Sequence, residues 1–300
     1  MAISGEFAEW ATELTMRHIP VTVRRATGRR ILTAIAGGVG AARVGTVDPA
    51  VHVAVGIGGP PEAELIGHAA GRLAAPAAAL ANGMLIGAAG PDPADIPAGA
   101  MAVVLPVALA VGQEVKARGD EVLVAVVAGH EMACRLGGRD GSPSIGMLGA
   151  ALAAARLMTL DSRRIRDAVG IAGEFAGGPV GRGGTVGVAE GVAAGNAVIA
   201  ARLAASGASG PVGGIDELCR ARLLRPEAVL DGLGGLAGRW VCEAHPAAEV
   251  TDYQFDLETC ELLGGRRRDA RALVAEIRAL AFAPSLDSIL SLTVKVAAGT

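Results

Sequence analysis

The sequence predicts a mainly α-helical protein whose helices pack through alanine and glycine, and three features carry that expectation. Apolar residues make up 51% of the 300-residue chain while aromatic residues make up 2%. A core built from such small side chains reaches normal density only where backbones approach closely, as helices rich in Ala and Gly can. The 44 glycines supply the means for that approach. Finally, Gly146 to Met158 is nearly all Ala, Leu and Gly, and a helix apolar on every side is buried on every side.

The elements follow in order. Glu6 to Leu14 reads as a short amphipathic helix, and Arg24 to Gly37 as a second with Ile31, Leu32 and Ile35 on its inner face. GIGGPP, Gly56 to Pro61, breaks the chain. A helical hairpin is predicted next, Glu62 to Ala75 and Ala77 to Gly87 about Pro76. Pro91, Pro93 and Pro97 impose a loop. Val103 to Val111 reads as a short buried helix that tolerates Pro106 near its first turn. Glu121 to Leu136 is a strong helix ended by Gly137 and Gly138. In it Glu131 and Arg135 stand at i,i+4 and are expected to pair, with Cys134 a small core residue.

The loop Arg139 to Ile145 leads into the helix Gly146 to Met158. Asp161 or Ser162 is placed to cap the next helix, on which Ile165, Val169 and Ala172 share a face. A glycine-rich loop, Gly177 to Gly187, precedes a small-residue helix from Val188 to Ala205. Short, polar, glycine-broken pieces follow from Gly207. A hairpin is expected around Val250 to Leu263, and a last helix over Arg268 to Phe282 with Leu273, Ile277 and Leu280 on one stripe.

Composition excludes several functional classes. The net charge of -3, with dispersed arginines, offers no electrostatic footprint for nucleic acid. The longest uncharged runs, Leu73 to Pro91 and Ile96 to Gln113, are broken by prolines and polar residues, so neither is the apolar stretch of about 20 residues that spans a bilayer. Glu6 and Glu9 stand where a signal peptide has a basic then apolar run, which predicts a cytoplasmic protein. Cys134, Cys219, Cys242 and Cys260 are widely spaced, which argues for reduced thiols and against zinc or a disulfide framework. GGPVGRGGTVG lacks the preceding strand that a phosphate-binding loop requires. No metal or cofactor is therefore expected. A charged fraction of only 19% and a mean hydropathy of +0.45 predict a homodimer, because so apolar a monomer would expose large patches.

Five segments in order carry a resemblance: EFAEWATELTMRHIP (Glu6 to Pro20), PAAALANGML (Pro76 to Leu85), LVAVVAGHEMACRLG (Leu123 to Gly137), MLGAALAAARLMTLD (Met147 to Asp161) and RRIRDAVGIAGEFAGG (Arg163 to Gly178). Together they resemble the helical core of the MmgE/PrpD family, which includes 2-methylcitrate dehydratases, cis-aconitate decarboxylases and related epimerases. The resemblance implies a multi-helical core over residues 1–240 and 266–300. It also implies that the family's α/β lid domain is largely missing, with residues 241–265 as its remnant.

The family's enzymes use acidic, histidine and lysine residues from several loops. Cations hold the substrate's carboxylates, and a base removes a proton beside a carbonyl. Matched by position, most of these groups are absent here. Gly87 and Gly99 take the places of two histidines, Gly90 that of an aspartate and Ala94 that of a threonine, while Asp92 alone keeps acidic character. The family's lysine falls near Val186 and its accompanying histidine at Ala189. The chain has only two lysines, Lys116 and Lys295, and both lie far from this position.

The residues left to carry chemistry are few. Asp140 falls where the family has a histidine and is the first candidate acid or base, with Asp92 or Glu190 assisting. Arg182 is the candidate replacement cation, Ser142 and Ser144 are candidate hydrogen-bonding groups, and His130 is a further candidate contact. Each also has a structural reading: Asp92 and Asp140 as turn residues, Arg182 in a glycine-rich loop, and His130 as a core histidine. Holding several buried carboxylates without cations is costly, so the losses argue against tricarboxylates. The expected activity is lyase or isomerase chemistry (dehydration, double-bond isomerisation or cyclisation) on a larger, weakly charged biosynthetic intermediate. The alternative is a non-catalytic homologue that binds a ligand or pairs with a full-length relative. A conventional dehydratase with relocated residues ranks last.

Overall fold

At the centre of the computed structural model lies α7 (Pro143–Leu157), surrounded by α5 (Met101–Glu114), α6 (Gly119–Gly137), α8 (Ser162–Phe175) and α9 (Val188–Ala205). The structure describes residues 3–45, 48–90, 99–137, 142–175, 187–233, 240–243 and 251–299. Helix α7 is buried on nearly every side, and glycine is what lets its neighbours come so near. A Cβ built on Gly129 of α6 would stand 2.5 Å from the Gly149 carbonyl oxygen of α7. Helix α4 (Ala75–Ala88) meets α9 in the same way, because a Cβ on Gly83 would lie 2.8 Å from the Cα of Gly191.

Around this centre pack α1 (Ile3–Glu13), α2 (Val21–Arg43), α3 (Asp48–Ile57), α10 (Gly214–Ala221), α11 (Pro226–Leu230), a 3-10 turn over Val241–Glu243, α12 (Asp252–Leu263), α13 (Arg267–Arg278) and α14 (Asp287–Ala298). The sheet among the described residues is one antiparallel hairpin, β1 (Ala63–Leu65) with β2 (His68–Leu73), in the register Ala63 to Leu73 and Leu65 to His68. The architecture is mainly α, as the small-residue composition predicts, and α9 has the predicted bounds.

Several elements differ from expectation. Glu62 to Ala75 is this hairpin and not a helix. Its turn is held by three side chains: Asn82 Oδ1 accepts from Ile66 N at 2.8 Å, Gln113 Oε1 from Glu64 N at 2.8 Å, and Thr293 Oγ1 from Gly67 N at 3.0 Å. Those partners lie far along the chain, and Gly67 sits at φ +67°, where glycine carries no Cβ penalty. Helix α2 runs on past Gly37, because Gly37 and Gly38 serve close packing against Ala89, Ile66 and Ile86 rather than termination. Where a hairpin is expected around Val250 to Leu263, the described part is the helix Asp252–Leu263, started by a capping box between Thr251 and Gln254. Helices α3 and α14 have no counterpart in the sequence reading. Asp161 does cap α8, accepting from Arg164 N at 2.8 Å.

Helix α12 is fastened to α2 by charge. Asp252 accepts from Arg25 Nε at 3.0 Å and from Arg29 Nη2 at 2.9 Å, and Asp256 pairs with Arg278 at 2.6 Å. Phe255 lies beneath both Arg29 and Arg278, whose guanidinium carbons stand 5.0 and 5.8 Å from the ring centre. Burial pushes the Asp252 carboxyl up, but the hydrogen bonds from Arg25 and Arg29 and the charge of Arg278 outweigh it and hold it below its ordinary value. A depressed carboxylate contributes stability above its unfolded pKa and loses it as pH falls through the folded one. The docking of α12 is therefore expected to loosen as pH drops below the usual carboxylate range. Hydrogen exchange of the α12 amides against pH checks this, and protection unchanged by acid, or by Asp252→Asn, would refute it.

By length and composition α9 alone among the described helices is apolar enough to cross a membrane, and half of it is buried inside the domain, as a core helix is. The four cysteines are free thiols.

Candidate functional site

A cavity of about 360 Å³ opens between α2, the end of α4, the start of α5 and Leu262 of α12. Its wall is largely apolar, with Ala34, Ile86, Met101 and Ala102, and it includes the two polar side chains Arg30 and Thr33. Gly90 and Gly99 belong to this wall. These are two of the positions at which the resemblance implies a polar group in the family.

Glu190, on the first turn of α9, stands beside the same place. Its Oε1 is 3.9 Å from where a Gly99 Cβ would be, and its Cβ and Cγ are each 3.2 Å from where a Gly87 Cβ would be. Glu190 thus fills the space beside Gly87 with its stem, and its carboxylate ends next to Gly99, adjoining the cavity without belonging to its lining. It is half-buried and makes no hydrogen bond or ion pair with another described residue. Gly187, with φ +87°, begins α9 close against the Met84 carbonyl, and this fixes where Glu190 points.

The base of the cavity is tied down by a buried polar chain. Arg30 is 2% exposed and donates from Nη1 to the Cys242 carbonyl at 2.7 Å. Glu131 accepts from Val241 N at 3.0 Å and Cys242 N at 2.9 Å, and pairs with Arg135 at 2.7 Å. Arg135 in turn donates to the Val229 and Asp231 carbonyls at 2.9 and 2.8 Å. The i,i+4 pair read from sequence is therefore present, but it is interior and holds two distant segments onto α6. Burial, with the Glu131 carboxylate beside it, pushes the Cys242 thiol far above its ordinary value, so it stays protonated.

The other candidates fall in different places. Asp140, Asp92 and Arg182 lie outside the described residues. Ser142 is the N-cap of α7, its Oγ accepting from Ile145 N at 3.4 Å, and Ser144 sits in the first turn of the same helix. His130 is fully buried in α6, with Cys134 Sγ 3.8 Å from its ring nitrogens, and does not line the cavity. Arg30 was not singled out in the sequence, although a signal existed: it interrupts the apolar face that Ile31 and Ala34 continue. Among the described residues no cluster of His, Cys, Asp and Glu has the grouping of a metal site.

Comparison with known families matches residues 5–217 to the MmgE/PrpD N-terminal domain. Comparison with curated proteins gives no match.

Proposed function

The chain belongs to the MmgE/PrpD family, and from that premise we propose that it is a lyase or isomerase acting on a largely apolar, weakly charged intermediate. The observation that carries the reading is a glycine- and alanine-walled cavity with the Glu190 carboxylate just outside its lining, next to the wall residue Gly99. Among the described wall residues Arg30 is the one formal charge, enough for a carbonyl or a single acid group but not for three carboxylates. Glu190 is the proposed base for a proton beside or conjugated to a carbonyl, and Arg30 supports the oxygen on which charge develops. Asp140, and Asp92 with it, are proposed as the partner acid on sequence register. The glycines enlarge the space that the family's histidines would fill, which suits dehydration, double-bond migration or cyclisation of a bulky molecule.

Citral, an uncharged apolar enal, is a suitable probe. In D2O the protein is expected to exchange its γ-hydrogens for deuterium, with Glu190→Gln slowing exchange by about 100-fold while citral binding persists. Citral binding without any exchange would favour the ligand-binding reading over catalysis. 2-Methylcitrate and cis-aconitate are expected to be neither bound nor converted. Turnover of either acid, followed by chromatography of the products, would overturn the substrate class.

A further inference from the structure

The cavity has two unlike ends. Its α2 wall runs from Arg30 to Gly40, about 15 Å at about 1.5 Å per residue. Arg30 is 2% exposed, whereas Leu262 of α12 is 71% exposed and marks where the cavity meets solvent. Helix α12 lies along α2 in the same direction. Asp252 at its start is held by Arg25 and Arg29, and the Leu263 carbonyl at its end accepts from Arg43 Nη1 at 2.7 Å. Leu262 therefore stands at the Gly40 end, about one turn short of Arg43.

Positive charge collects at that end. Arg43 closes α2, Arg266 precedes α13, Arg267, Arg268 and Arg271 lie on the first turns of α13, and Lys295 is in the last turn of α14. All six are exposed. Glycine brings the end of α14 to this place: a Cβ on Gly299 would lie 3.0 Å from Arg266 N, and one on Gly265, at φ +66°, would lie 2.6 Å from the Val296 carbonyl oxygen. None of the six makes an ion pair with a described residue. Glu258, Glu261 and Asp269 stand on the same two helices and leave the rim with an excess of positive charge.

We propose that this basic rim docks an acidic carrier protein, which delivers the intermediate into the cavity as a thioester. The proposal rests on the cavity being the seat of proton abstraction, and it names the form in which the substrate arrives. A largely apolar cavity has use for six cations at its mouth when the charge they meet stays outside it. A thioester supplies the carbonyl that Arg30 supports. Its bond to the carrier is kept throughout, so the product leaves on the same carrier. A phosphate site aims its donors at one point. These cations instead stand at the ends of three helices, unfixed by ion pairs, which suits a broad acidic surface whose complementarity speeds encounter.

The test uses the full chain and an acidic acyl carrier protein with a decanoyl group on its phosphopantetheine thiol, followed by titration calorimetry. The loaded carrier is expected to bind, and to bind at least about tenfold more weakly when salt rises from about 0.05 to about 0.3 M. It is expected to bind at least about tenfold more tightly than the unloaded carrier, since two buried CH2 groups supply about that much. Arg267→Glu combined with Arg268→Glu should weaken binding by at least about tenfold. Arg17→Glu combined with Arg225→Glu changes net charge equally, at exposed sites away from the rim, and should leave binding unchanged. Circular dichroism checks that both double variants are folded. No binding of the carrier would overturn the proposal, as would equal affinity for loaded and unloaded forms or equal loss in the two double variants. Decanoyl-coenzyme A binding as tightly as the carrier would assign the rim to phosphates, and sedimentation with phosphatidylglycerol vesicles but not carrier would assign it to a lipid surface; either result overturns it. Exchange into citral does not involve the rim, so a protein that exchanges citral but binds no carrier would refute this proposal alone.

Discussion

Glu131→Gln is expected to destabilise the fold by about 3–5 kcal/mol, the scale of a buried ion pair broken on one side. Glu131 is 1% exposed and its carboxylate is shared among Arg135, Val241 N and Cys242 N. An amide of the same shape accepts through one oxygen only and turns its NH2 group toward donors. The Arg135 guanidinium, 3% exposed, then loses the carboxylate that accepts from its Nε. The damage should travel outward, since the same carboxylate secures the turn whose Cys242 carbonyl receives Arg30 at the cavity. Urea unfolding gives the stability, and native-state alkylation of Cys242 gives the local effect. In the wild type this thiol is buried and protonated and should resist alkylation; in the variant it should react. Combining Glu131→Gln with Arg135→Met should recover part of the loss, because the buried charge is then removed together with the carboxylate it faced. A loss under about 1 kcal/mol would show that the clamp is dispensable, on the scale of an exposed pair.

The same residues show why the sequence disclosed the helices more fully than the site. Helices α6, α7 and α9 are specified locally: their small apolar residues can be buried only against other helices, and Asp161 marks a start by its own short side chain. The hairpin at Ala63 to Leu73 is specified by Asn82, Gln113 and Thr293, which no local pattern connects to it. Helix α12 was misread for a similar reason, since much of what fixes it on α2 lies in Arg25, Arg29 and Arg278. The resemblance matched Gly90 and Gly99 to polar positions, and both line the cavity. Register cannot disclose what fills a vacated position. That Glu190 stands against Gly87 and Gly99 depends on how closely α9 rides on α4, a distance set by Gly83 and Gly191.

Close approach makes its own prediction at the crossing of α6 and α7. Gly149→Ala is expected to destabilise the protein by about 3 kcal/mol, the upper end of the usual cost of overpacking. Alanine is intrinsically the better helix former by nearly 1 kcal/mol, so propensity alone predicts the opposite sign. Packing decides, because the new Cβ would meet the Gly129 carbonyl oxygen within contact distance and lie 2.9 Å from its carbon. Neither helix can retreat easily: α7 is enclosed by α5, α8 and α9, and α6 by α7 and the turn at Val241–Glu243. Backbone, unlike the end of a flexible side chain, has no rotamer to escape into. The control is Gly28→Ala in α2, where a Cβ meets nothing within 4 Å. There the propensity gain stands unopposed, and stability should rise by about 0.5–1 kcal/mol. Thermal unfolding separates the two, since each kcal/mol moves the midpoint by about 2–4 °C in a chain of this size. If Gly149→Ala unfolds at or above the wild-type temperature, the two helices are not in contact through their glycines, and the core is not close-packed at its centre.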